Sequence, residues 1–229
     1  MGGAASRATG PVRVVLATRS APKARELREL LGSPGLELLS LDELGVTEEI
    51  PEDGQTFDEN ATRKALGYAR LTGLPVVADD SGLEVDHLGG APGVRTRRFA
   101  GPSAIDEENN AHLLGRLAGV PPERRTARYR CTLVLAEPDE WTRRGRPGGL
   151  GEPSVAAVTH GTLEGRIALA ARGSGGFGYD PIFEPEGEPP GGRTLAEYSP
   201  AAKNRISHRG RAARAMRREL EGLRPGAPG

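Results

Sequence analysis

Several things are scarce in this chain of 229 residues, and each scarcity excludes something. One cysteine, Cys131, excludes an internal disulfide and suits a reducing compartment. Charge of either sign is not in excess: 31 basic residues balance 31 acidic ones, which argues against a general nucleic-acid or membrane-surface binder. Aromatics make up 4%, so the interleaved aromatic and basic pattern of a nucleic-acid surface is missing too. No apolar run approaches the roughly 18 residues of a membrane span. The stretch Met1–Pro11 lacks the apolar core of a secretory signal, so the expected location is the cytoplasm. What the chain does have in quantity is turn formers, 33 glycines and 19 prolines. Its charges are also segregated. Glu48, Glu49, Glu52, Asp53, Asp58 and Glu59 fall together without a base, and residues 203–218 carry lysine and arginine without an acid. For most of these charges a solvated face is the plain reading.

Periodicity predicts one mixed α/β domain over residues 12–222. Val12–Ala17 reads as a buried strand, Lys23–Leu31 as a helix and Leu36–Ser40 as a second strand. Thr56-Phe57-Asp58-Glu59 has the form of a capping box and opens a helix to about Leu71. Leu74–Ala78 predicts a strand that ends at Asp79 and Asp80, followed by a tight Ser81-Gly82 turn. A helix is expected from Ser103. Ala127–Ala136 alternates as a strand with one wetter face. Ser154–Thr162 and Gly165–Ala171 read as two strands, and Ser199-Pro200 and Ser207 as the starts of two last helices. Residues 137–152 read as a mobile loop, and 1–11 and 223–229 as disordered tails.

Four constellations could carry chemistry. Asp79 and Asp80, adjacent acids, repel each other unless a cation or proton lies between them. A strand end in an α/β protein is a usual ligand position. With Glu52 from the acidic segment they offer hard oxygen donors, which favour Mg²⁺ over zinc in a chain with so little histidine and cysteine. A turn cap is the alternative. Thr18-Arg19-Ser20-Ala21-Pro22-Lys23 joins a strand to a helix and offers a phosphate helical N–H groups, hydroxyls and cations, although the glycines of a P-loop are missing. An ordinary helix start has the same look. Gly173–Gly178 matches G-x-G-x-x-G but leads into Tyr179-Asp180-Pro181 rather than a helix, which rejects a dinucleotide site. It leaves a backbone that can approach a flat ligand, with Phe177 to stack on it, or else a plain glycine loop. Lys203 can present a point charge to phosphate, and His208 and Arg209 can donate to the carbonyls of a base. Cys131 shares a face with Leu133 and Leu135 and reads as a buried structural thiol.

Taken in order, these segments resemble the inosine/xanthosine triphosphate pyrophosphatase family. The resemblance rests on Leu16–Lys23, Glu52–Phe57 with Glu59–Ala61 and Lys64-Ala65, Ala78–Leu83, Gly89–Gly93, Gly175–Pro181 and Ser207–Gly210, and covers about residues 12–220. It implies an elongated two-lobed α/β fold with flanking helices and a central substrate cleft, in a homodimer. It also implies hydrolysis of nonstandard purine nucleoside triphosphates (dITP/ITP and XTP/dXTP) to the monophosphate and pyrophosphate, with Mg²⁺. By the same resemblance Thr18, Ser20, Lys23, Lys64 and Lys203 bind phosphate. Asp80 is the general base and a metal ligand, supported by Glu52 and Asp79. Ser81 lies in the substrate site, and Phe177, Gly178, Tyr179 and Asp180 with His208 and Arg209 form the base pocket. The chain departs from the family pattern at Arg19 (usually Gly), at Ser20 (usually Asn), at Pro51 before Glu52-Asp53, and at Thr96-Arg97-Arg98. Its segments 137–152 and 185–193 also look long. A pyrophosphatase of dUTP or modified pyrimidines, and a nucleotide-binding regulator without turnover, are the alternative readings.

Overall fold

The computed structural model describes residues 10–138 and 152–223. Most of the expected tails and most of the 137–152 loop lie outside the described residues, but Leu223, expected in the second tail, is described and buried in the core. Six strands form one sheet: β1 (Val12–Ala17), β2 (Leu36–Ser40), β3 (Val76–Val85), β4 (Thr126–Glu137), β5 (Ser154–Ile167) and β6 (Phe183–Pro185), in the order β2-β1-β3-β4-β5-β6. β1 runs parallel to both its neighbours, and the remaining pairs are antiparallel. The helices are α1 (Ala21–Leu31), α2 (Phe57–Thr72), α3 (Asp106–Arg116), α4 (Pro200–Ile206) and α5 (His208–Gly222). None of the described helices is long and apolar enough to cross a membrane.

β1 is apolar almost throughout because both its faces are covered. Val12, Val14 and Leu16 pack with Leu27 and Leu31 of α1 and Met216 and Leu220 of α5. Val15 and Ala17 pack on the other side with Ala61, Ala65 and Ala69 of α2, whose small residues let the helix lie close. A third cluster joins Leu83, Val85, Tyr129, Leu163 and Phe183 to Leu113 of α3 and to Leu117 just after it, and forms the second lobe. The helix starts follow local chemistry. The hydroxyls of Thr56, Ser199 and Ser207 accept the N–H groups of Glu59, Ala202 and Gly210 at 3.1, 3.3 and 3.0 Å. The capping box is incomplete: the Glu59 carboxylate accepts from Gln55 at 2.7 Å, not from Thr56.

Four expectations are corrected. β3 does not end at Ala78 but continues to Val85, paired with β4 along its whole length, so Asp79, Asp80, Ser81 and Gly82 are mid-strand residues. Gly82 serves close approach rather than a turn: a Cβ there would lie 2.6 Å from the Gly93 carbonyl oxygen and 2.8 Å from the Phe57 ring. β5 is one strand instead of two; at Gly165 a Cβ would lie 2.3 Å from the Glu184 carbonyl oxygen, so the glycine admits β6. The wetter face of β4 is confined to its first half, because Val134 and Ala136 are buried with α2 residues. α3 begins at Asp106 instead of Ser103; Glu108 accepts the Ile105 N–H at 3.0 Å and fixes that start.

The unequal lengths of β1 and β3 position the site. β1 pairs with β3 only from Val15↔Val76 to Ala17↔Ala78. From Asp79 to Gly82 that edge of β3 pairs with no strand, while its other edge stays bonded to β4; farther along, the Leu83 N–H donates to the Thr96 hydroxyl and the Val85 N–H to the Ala91 carbonyl, both at 3.1 Å.

Candidate active site

A cleft of about 470 Å³ runs along this open edge, within the size range of small-ligand sites. Successive side chains of a strand point to opposite faces, so the two adjacent acids part company. Asp80 faces α2, where Asn60 Nδ2 donates to its Oδ2 at 3.0 Å and Lys64 Nζ stands 4.0 Å from its Oδ1. Lys64 Nζ also donates to Glu52 at 3.0 Å and to the Asp79 carbonyl, on the open edge, at 2.6 Å. Asp79 faces α1 and α5. Its carboxylate pairs with Lys23 at 2.6 Å and Arg209 at 3.2 Å, and lies 3.4 Å from the Cys131 thiol.

The electrostatics separate the two acids as well. Burial raises the pKa of Asp80 above the ordinary carboxylate value, and nearby Lys64 and Lys23 only partly oppose it. For Asp79 burial is outweighed by Lys23, Arg209 and Lys64, which hold it well below the usual range. Asp79 is therefore withdrawn from the proposed metal ligands: its side chain is fully buried on the far face and committed to two cations. Asp80 and Glu52 remain as oxygen donors on either side of Lys64. No group of three or more His, Cys, Asp or Glu side chains with metal-binding geometry occurs among the described residues. A pair of carboxylates fits Mg²⁺, which takes one or two and completes its shell with water and ligand phosphate.

The other expected residues divide. Thr18, Ser20, Pro22, Lys23, Ser81, Phe177, Gly178, Tyr179, Asp180, Lys203, His208 and Arg209 all line the cleft, but Ala21 does not. Ser20 precedes α1 without a side-chain cap bond, and its N–H donates to the Thr18 hydroxyl at 3.2 Å. Arg19 also borders the cleft, yet its guanidinium bonds Asp42 and the carbonyls of Val46 and Glu48, not the phosphate turn. Across the cleft Lys203 Nζ bonds Asp180 at 2.6 Å and Glu26 at 2.8 Å, and lies 4.5 Å from the centre of the Phe177 ring. The Phe177 N–H donates to Asp180 at 2.9 Å, which ties the glycine loop to this charge pair. Arg209 is not free to greet a base: it bonds Asp79, Glu26 at 2.6 Å and the Ser81 hydroxyl at 2.9 Å. Glu26 was not foreseen. It follows Lys23 by three residues and so shares its helix face, the one signal the sequence held.

His208 stacks on Tyr129 with ring centroids 4.5 Å apart and planes within 6°, and its buried Nδ1 has no partner among the described residues. Burial, with Arg209 and Lys203 nearby, holds its imidazole well below the usual range, hence neutral. A group whose folded pKa is lowered contributes fully above its unfolded pKa, and that contribution drains away as pH falls from there towards the folded pKa. Stability measured by denaturant should therefore drop as pH falls below about 6.5. His208→Phe keeps the stack on Tyr129 and should flatten that slope; an unchanged slope would exclude His208 as its source.

A cleft lined by Lys23, Lys64 and Lys203, with the Phe177 ring 4.5 Å from the last of them, makes this a mixed α/β protein whose site suits an anion that carries a ring. The chain belongs to the Ham1 family, whose model matches residues 14–219. It is 47% identical over 212 residues to a dITP/XTP pyrophosphatase of Thioalkalivibrio sulfidiphilus, covering 92% of this chain and 100% of the relative. A dITP/XTP pyrophosphatase of Geobacter sulfurreducens is 46% identical over 200 residues, covering 87% of this chain and 92% of the relative. Among solved structures, a HAM1 protein from Coxiella burnetii superposes with a TM-score of 0.76 at 37% identity, covering 92% of this chain and 99% of that one. A nucleoside-triphosphatase / dITP/XTP pyrophosphatase from Mycobacterium abscessus gives a TM-score of 0.67 at 41% identity, covering 90% and 98%.

Proposed function

We propose that this protein hydrolyses nonstandard purine nucleoside triphosphates, dITP/ITP and XTP/dXTP, to the monophosphate and pyrophosphate. The observation that carries the reading is the open edge of β3, where Lys64 stands with Asp80 and Glu52 on one face and Lys23 on the other. Lys23, Lys64 and the hydroxyls of Thr18 and Ser20, at the start of α1, hold the phosphates in position. Asp80 orients a water and takes its proton. The water oxygen bonds the α-phosphorus, the bond to the bridging oxygen breaks, and pyrophosphate leaves with that oxygen. Burial supports this role, since a raised pKa brings a carboxylate nearer the operating pH of a general base. Asp80 and Glu52 would hold Mg²⁺, which supplies charge neutralisation for the departing pyrophosphate.

Phe177 offers a face to the purine, and the unpartnered His208 Nδ1 offers a polar contact at its edge. A site built around a 6-carbonyl leaves a buried group unpaired when adenine presents an amino group instead, which can discriminate by roughly 10⁴–10⁵. The same reading takes residues 12–222 as one catalytic domain acting as a cytoplasmic homodimer. The test is a pyrophosphate-release assay on ITP, dITP, XTP, dUTP and the standard nucleotides, with and without Mg²⁺. Strong preference for dITP and XTP, lost on chelation, is expected. Comparable turnover of dATP and dITP would overturn the pocket, and preference for dUTP would overturn the substrate class.

A further inference from the structure

Arg19 lies between Thr18 and Ser20, yet its guanidinium is spent elsewhere. Nη2 donates to the carbonyls of Val46 and Glu48 at 2.8 and 3.0 Å, and Nη1 donates to the Asp42 carboxylate at 3.1 Å. All three partners belong to the connection between β2 and α2. Within it, residues 46–54 form neither helix nor strand, yet they bring Glu49, Ile50 and Glu52 to the cleft wall. Such a segment has no ladder of its own, so its backbone groups rely on side chains. Tyr68 donates to the Glu48 carbonyl at 3.2 Å, Arg98 to the Glu52 carbonyl at 3.3 Å, and the Gly54 N–H donates to Asn60, the residue that also holds Asp80. A segment held by a few side-chain bonds opens at low cost when one is removed. Arg19 makes two of these contacts, and a third to Asp42 ahead of the segment, with one planar fork, a geometry that the point charge of lysine does not reproduce.

We propose that Arg19 is a positioning residue: it staples the 42–48 segment to the turn before α1, so that Glu52 already stands beside Lys64 and Asp80 when a nucleotide enters. The role given to Glu52 rests on the pyrophosphatase reading; the staple itself does not. The test joins amide hydrogen exchange of the unliganded protein with steady-state kinetics on dITP. Arg19→Ala is expected to speed exchange across residues 46–54 by about tenfold or more, with β1 and α1 unchanged. It should also lower kcat/KM by roughly 10²-fold. Arg19→Lys keeps the charge and should restore neither quantity. Asp42→Asn, whose side chain is exposed, should move exchange in the same direction by less. Wild-type exchange and kinetics in Arg19→Lys would overturn the staple in favour of charge alone, as would lost activity in Arg19→Ala with unchanged exchange. If Arg19→Ala does not fold, the Lys and Asp42 variants decide by the same readouts. If the wild-type protein turns over no nucleotide, the pyrophosphatase reading fails, while the exchange data still decide the staple.

Discussion

Asp80→Asn is expected to lower pyrophosphate release by roughly 10²–10⁴-fold, the usual contribution of a positioned general base. It should do so without lowering the melting temperature. The folded protein holds Asp80 at a raised pKa, so ionising it near neutrality costs stability, and the neutral amide removes that cost. Asn60 can still donate to the remaining oxygen, and Lys64 keeps Glu52 and the Asp79 carbonyl. The pH profile adds a separate check. Wild-type kcat/KM should fall on the acid side at a pH above the ordinary aspartate value of about 3.9, as Asp80 takes up a proton. Activity within about tenfold of wild type in the variant would remove Asp80 from the role of base.

The neighbouring substitution should behave in the opposite way. Asp79→Asn leaves Lys23 and the buried Arg209 without their shared anion, and breaking a buried pair in this manner costs about 3–5 kcal/mol. Urea denaturation should show that loss, and Lys23→Met in the same background should recover part of it. A cost below about 1 kcal/mol, the worth of an exposed pair, would mean that the charges are solvated. The sign with pH follows from the lowered pKa of Asp79. Its contribution is complete above the unfolded value of about 3.9 and drains away as pH falls below it, because the unfolded chain then binds a proton that the folded one refuses. Two adjacent aspartates thus separate activity from stability, one on each face of a single strand.

That separation marks how far the sequence could be read. Caps at Thr56, Ser199 and Ser207 were legible because they depend on bonds three residues apart. The strand β1 was legible from an apolar run broken only by Arg13. Ser81-Gly82 and Gly165 misled because local turn preference was overridden by pairing with β4 and β6, and by rings and carbonyls that need an absent side chain. Most of the residues around the cleft could be named from their motifs, but their partners could not. Glu26 binds Lys203 and Arg209, which lie 177 and 183 residues away, and nothing local announces such a bond. Arg19 reads as a phosphate contact from its position in a turn, since the approach of residues 42–48 exists only in the folded chain.

Every lysine that would meet a nucleotide already holds a carboxylate of the protein: Lys23 holds Asp79, Lys64 holds Glu52, and Lys203 holds Asp180 and Glu26. Capture of a polyanion is therefore an exchange of counter-charges, not a fall into a positive basin. With no net charge on the whole chain, long-range attraction is weak, so ionic strength should alter the rate of association little. A small anion that reaches one lysine alone cannot compensate the carboxylate it displaces. Only a ligand long enough to engage several of them together offsets what it disrupts, and the cleft thereby selects for the length of an anion before it reads any ring.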